Sequence, residues 1–151
     1  MNIISAESEI RIEREPEVVF AYFADLRNEP EWNRGHVKNV IMTSSEPIGL
    51  GTTFEGKHHG FGVATWRLAQ YDPPKHIIIA GVTGGAPYRY VGNLEREGDA
   101  TIFRGCIEWE PRGVWRAFGL LLPLILKFQA KRSFQNLRDV LQRNEHSARI
   151  E

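Results

Sequence analysis

The chain is predicted to adopt an α+β fold: one seven-stranded antiparallel sheet and a long C-terminal helix, in the order β-α-α-β-β-β-β-β-β-α. Three observations predict it. Residues 8–14 alternate apolar and polar and run at once into a helix start. Residues 37–110 break into six further runs at about ten-residue spacing, closed mainly by Gly, Pro and Asp turn signals. Residues 112–143 read as helix, apolar in the first half and amphipathic in the second.

The elements follow in order. In Ser8–Arg14, Ile10 and Ile12 share one face and Glu9, Arg11 and Glu13 the other, the period-2 signature of a half-buried strand. Pro16 suits the first turn of a helix, and Val19, Phe20, Phe23 and Leu26 form its apolar stripe. Asn28-Glu29-Pro30 starts a second short helix ending near Trp32. The meander comprises 37–44, 52–59, 63–71, 75–82, 88–96 and 101–110. In the C-terminal helix, Ala130, Phe134, Leu137 and Leu141 share a face. Its first half, 118–126, is apolar nearly all round, which predicts burial on every side or contact with something outside the chain. Pro123 either kinks this helix or begins a new one. The polar residues 144–151 are expected to fray.

Composition narrows the function. The 151 residues are enough for one domain, taken as 1–151, with a sizeable core. Nineteen basic residues balance nineteen acidic ones, which argues against nucleic acid as a partner. Zero net charge gives little colloidal repulsion, so a homodimer is compatible with it. Cys106 is the lone cysteine, and 1–10 lacks the pattern of a signal peptide. The longest apolar run is too short to span a membrane. A cytoplasmic location is the resulting expectation.

Taken together, several motifs resemble the polyketide cyclase and START-like (SRPBCC) superfamily, the helix-grip fold. They are Pro16-Glu17-Val18-Val19-Phe20, Ala24-Asp25, Pro30-Glu31-Trp32-Asn33, the 47–54 segment Pro-Ile-Gly-x-Gly-Thr-x-Phe, Tyr71-Asp72-Pro73-Pro74 and Asn136-Leu137. The resemblance covers nearly the whole chain. It implies a sheet wrapped around the C-terminal helix with a hydrophobic cavity between them, and binding or carriage of an apolar small molecule such as a lipid or aromatic metabolite.

Strand alternation then assigns side chains to the cavity. Phe54 carries His58 inward; Trp66, Tyr88, Tyr90, Phe103 and Trp109 fall on apolar registers; Trp32 is a rim candidate; Phe118 and Leu122 come from the apolar segment. The Glu and Arg residues of 10–33 look solvent-facing. The loops at 47–51, 60–62 and 84–87, with a kink at 119–123, would gate access.

Three functions remain. The first is ligand binding with His58 or the Tyr hydroxyls as polar anchors. The second is a cyclase or dehydratase with His58 as general base. The third is a protein-interaction module using 118–126. The basic residues from Lys127 to Arg143 beside that segment also suit an anionic membrane surface. No cofactor is called for. No metal is expected, because His58 and His59 alternate to opposite faces and His36 and His76 lie in separate segments. Cys106 shares the outward register of Arg104 and Glu108 and reads as an unreactive thiol.

Overall fold

The structure, a computed structural model, describes residues 3–150 and the side chains of residues 3–143. The sheet is built from β1 (Ile4–Ile12), β2 (Val37–Met42), β3 (Thr53–His58), β4 (Gly62–Asp72), β5 (His76–Thr83), β6 (Ala86–Glu97) and β7 (Ala100–Trp109). Its order is β1-β7-β6-β5-β4-β3-β2, antiparallel throughout. Helices α1 (Pro16–Ala24) and α2 (Glu29–Trp32) connect β1 to β2, joined by a 3₁₀ turn at Leu26–Asn28. Helix α3 (Leu122–Ile150) closes the chain and packs chiefly along β1, with α2 beside it. This is the helix-grip arrangement.

The meander strands fall close to the predicted runs, but β1 starts and ends earlier than the alternation at 8–14 suggests. Its first half is carried by Ala6, a small residue that gives little hydrophobic signal yet is buried. Its end is set by tertiary contacts. The Arg14 guanidinium donates to the Leu141 carbonyl at 2.7 Å, and Thr101 Oγ1 donates to the Arg14 carbonyl at 2.8 Å.

The sheet curves through irregularities that sequence alternation does not show. A register shift in β4 between Leu68 and Gln70 puts both Leu68 and Tyr71 on the core side, where Tyr71 packs edge-on against Phe20 at 5.3 Å. A second shift, in β2 around Asn39 at φ 56°, does the same for Val37 and Val40. Two inward glycines make room for aromatics. A Cβ on Gly105 would stand 2.5 Å from Phe134 Cζ, and one on Gly81 would stand 2.7 Å from Tyr88 Cζ and 3.0 Å from Trp66 Cδ1. The core between sheet and helices is therefore mostly aromatic.

Residues 112–143 are not one helix. A 3₁₀ turn, Gly113–Phe118, precedes α3, and Pro123 lies in the first turn of α3. There the missing proline N–H has no helical partner to lose, and the Leu121 carbonyl instead accepts from Ile125 N at 3.0 Å. Pro123 starts a helix rather than kinking one. The apolar 118–126 segment is not buried on every side: Phe118, Leu120, Leu121, Leu124 and Ile125 are exposed, while Leu122 and Leu126 are buried. The fraying expected at 144–151 concerns residues whose side chains lie outside those described. Among the described residues no helix is long and apolar enough to cross a membrane.

Candidate functional site

A cavity opens between one end of the sheet's concave face and the start of α3. Its volume is about 100 Å³. The ends of four strands converge there: His58 from β3, Thr83 from β5, Tyr88 and Tyr90 from β6, Ile107 and Trp109 from β7. Leu122, Ile125, Leu126 and Gln129 of α3 line it from the helix side, and His36, His59 and Phe61 complete the lining. The strand residues reach one place because they occupy inward registers on neighbouring strands; Tyr88 pairs with Gly81 across β5 and with Trp109 across β7.

His58 is the polar centre. Its ring stacks on Tyr88, 6.1 Å between centroids and 11° between planes, with Phe61 on its other side at 5.5 Å. Nδ1 lies 3.3 Å from Thr83 Oγ1, whereas the buried Nε2 has no hydrogen-bond partner. Burial holds the imidazole down to about 4, aided by His36 and His59. His58 is thus neutral at physiological pH and a weak base, which undercuts the general-base role expected of it.

Tyr88 Oη and Trp109 Nε1 are likewise buried without a partner. Both line the same cavity as His58. Burial pushes the Tyr88 and Tyr90 phenols well above their ordinary value, with the Glu29 charge adding to it, so both remain hydrogen-bond donors.

Behind Tyr90 lies a group that the sequence reading missed. Glu29 is fully buried. Its Oε1 accepts from Asn33 Nδ2 at 3.0 Å and from Tyr90 Oη at 3.3 Å; its Oε2 has no partner. Ser133 Oγ of α3 donates to Asn33 Oδ1 at 3.0 Å, so the network ties α2, β6 and α3 together. Burial raises the Glu29 carboxyl to about 7, against the opposing pull of Asn33 and Tyr90. The expectation that the acidic residues of 10–33 face solvent fails at this position. The available signal was the i, i+4 spacing of Glu29 and Asn33 around Trp32, which places both polar groups on the side of a short helix that also carries an apolar anchor.

Of the ten residues expected to contact ligand, His58, Tyr88, Tyr90, Trp109 and Leu122 line the cavity. Trp32 does not form a rim: it is fully buried, stacked on Phe134 at 6.3 Å and tilted against Phe23 at 5.6 Å. Phe103 packs between Phe23 and Phe134, and Phe54 and Trp66 fill the core beside them. Phe118 is exposed outside the cavity, against Trp115. Large aromatics on inward registers are divided here between filling and lining, and alternation cannot distinguish the two. Of the expected gating loops, 60–62 contributes Phe61, whereas 47–51 contributes nothing to the lining.

His36, expected to lie apart, lines the cavity together with His58 and His59, because the His36 carbonyl accepts from His59 N at 2.7 Å. Among the described residues no group of three or more His, Cys, Asp or Glu side chains is arranged to hold a metal ion. Cys106 lies on the outer face, its thiol raised by burial and by Glu108 and Glu7.

The architecture is shared with solved structures of low sequence identity. The KanY protein superposes with a TM-score of 0.70 at 17% identity, covering 94% of this chain and 99% of that one. A protein of Thermus thermophilus gives 0.68 at 15%, covering 93% and 98%. Truncated norcoclaurine synthase from Thalictrum flavum gives 0.66 at 12%, covering 93% and 94%. No curated protein matches the sequence. The profile described as polyketide cyclase / dehydrase and lipid transport matches residues 4–142, which is nearly the whole sheet-and-helix unit. The chain belongs to that family.

Proposed function

We propose that the chain binds an apolar small molecule bearing an oxygen acceptor, with the polar end of the ligand held at His58, Tyr88 and Trp109. One observation carries this reading: three buried polar atoms, His58 Nε2, Tyr88 Oη and Trp109 Nε1, surround a single apolar cavity and have no partner. An unmade hydrogen bond on a buried group costs about 1–3 kcal/mol, and a carbonyl or hydroxyl oxygen placed among these groups would recover part of that. Tyr88 and Trp109 supply donors, which favours an acceptor on the ligand. The volume of about 100 Å³ suits one small ring or the end of a longer amphiphile, not an enclosed lipid. The family's description, which includes lipid transport, supports a hydrophobic ligand.

The discriminating experiment uses an isosteric pair, acetophenone and α-methylstyrene, titrated into the full-length protein and followed by NMR. Acetophenone is expected to bind more tightly, and His58→Phe with Tyr88→Phe to erase the preference. Native mass spectrometry of freshly purified protein is expected to show a co-purifying small mass. Equal affinity for the two probes, or no binding of either, overturns the reading.

The buried Glu29–Tyr90 pair favours a second reading, acid–base chemistry on a ketone-like substrate. A carboxyl held near 7 is suited to exchange a proton at neutral pH, and Tyr90 connects it to the cavity. Its signature is exchange of the acetophenone methyl protons in deuterated water, catalysed by the wild type and lost in Glu29→Gln. Exchange no faster than in buffer removes this reading and leaves ligand binding intact.

A further inference from the structure

The start of α3, with Leu121 just before it, carries two apolar stripes. Leu122, Leu126 and Ala130 form the buried one. Leu121, Leu124, Ile125 and Phe128, at i, i+3, i+4 and i+7, form a second that faces solvent. Leu120, 98% exposed, and Phe118 and Val114 of the preceding 3₁₀ turn extend it. An exposed apolar surface of this extent marks contact with another phase or molecule.

Its charge indicates which. Six of the chain's nineteen basic residues lie in 112–138, and none of its nineteen acidic residues do. Helical spacing sets Lys127 and Lys131 along one flank of the outer stripe and Arg132 at its end. All three and Arg116 are exposed, with no carboxylate within ion-pairing distance among the described residues; Arg112 reaches Glu110 at 3.7 Å. A second copy docked face to face would set these cations against one another. A surface both apolar and anionic meets both features at once.

We infer that the face formed by the 3₁₀ turn and the start of α3 docks on an anionic lipid bilayer surface, its apolar stripe in the acyl boundary and its cations among the headgroups. The docked face lies over the cavity, because Ile125 belongs to both the outer stripe and the cavity wall. A membrane-dissolved molecule would therefore meet the cavity at its exposed Ile125 edge without crossing water. The inference goes beyond the proposed ligand binding and does not require it.

Co-sedimentation of the full chain with vesicles of phosphatidylcholine and phosphatidylglycerol tests it. Binding to vesicles with about a third anionic lipid is expected to exceed binding to pure phosphatidylcholine by tenfold or more, and to fall at high salt. Leu120→Glu with Leu124→Glu, and separately Lys127→Glu with Lys131→Glu, are each expected to lower it by at least tenfold. These side chains are exposed and outside the cavity, so the thermal midpoint and acetophenone affinity should stay unchanged. No sedimentation, or equal binding to neutral vesicles, overturns the inference. So does a dimer in analytical ultracentrifugation that Leu120→Glu with Leu124→Glu dissolves, or a stoichiometric protein complex on the same face. None of these results bears on the acetophenone titration.

Discussion

The Tyr90 hydroxyl donates to Glu29 Oε1 at 3.3 Å, across the interface between β6 and α2 and behind the wall of the cavity. Glu29 is the one buried acid of the described residues, and it is only half satisfied: Asn33 and Tyr90 share one oxygen and nothing reaches the other. A carboxylate in such a place is expensive to ionise, which is why its proton is held to about 7. Features that cost a fold stability tend to occur where it does something else.

The stability cost has a definite pH window. Glu29 ionises near 4.5 in the unfolded chain and at about 7 in the folded one. Between those values the native state binds the proton more tightly, so stability falls as pH rises and levels off above about 7. A shift of this size corresponds to ~3 kcal/mol. Urea unfolding at pH 5 and pH 8 should show a loss of this order in the wild type. Glu29→Gln keeps both hydrogen-bond acceptances and should be nearly flat; an equal loss in the variant would remove Glu29 as the cause.

His58 shifts the other way. Its imidazole is held down from 6.5 to about 4. Its contribution to stability is present above 6.5 and is lost as pH falls through 4. An NMR titration of the ring protons should give a midpoint near 4, and a ligand oxygen accepting from Nε2–H should raise it. A midpoint at 6 or above would mean that the ring is not buried against Tyr88.

Gly105 tests the packing between β7 and α3. An added Cβ would meet Phe134 at 2.5 Å and 2.6 Å and Phe103 at 2.9 Å. Gly105→Ala should therefore cost ~1–3 kcal/mol in urea unfolding, the range for overpacked cores. The clash is with a ring, so Phe134→Leu should relieve part of it. The double variant is expected to be more stable than the sum of the single losses predicts; strict additivity would place the strain elsewhere.

Pro123 separates a helix start from a kink. In the first turn of α3 it displaces no hydrogen bond, so Pro123→Ala should change stability by less than ~1 kcal/mol. A gain of several kcal/mol on thermal unfolding would show a proline working against a continuous helix from Arg112.

Strands and turns were legible because their signals are local. Ile77 and Ile79, or Phe103 and Ile107, alternate by the geometry of one strand, and Gly84-Gly85 turns the chain wherever it sits. Residue parity failed only where bulges at Asn39 and beyond Leu68 inserted a residue, an event set by curvature of the whole sheet. The candidate site was half legible. Tyr88, Tyr90 and His58 were found from register, whereas Glu29 looked like any acidic residue at a helix start.

Element order, the inward faces and the apolar helix start could all be read along the chain, since propensity and periodicity act between near neighbours. That Trp32 and Phe103 fill space while Trp109 borders it came from the packed fold alone. The same is true of Glu29, closed off from water, and of Leu120 and Leu124, left in it. Burial and exposure depend on what the rest of the chain brings to each side chain, and a residue's own sequence neighbourhood carries no record of that.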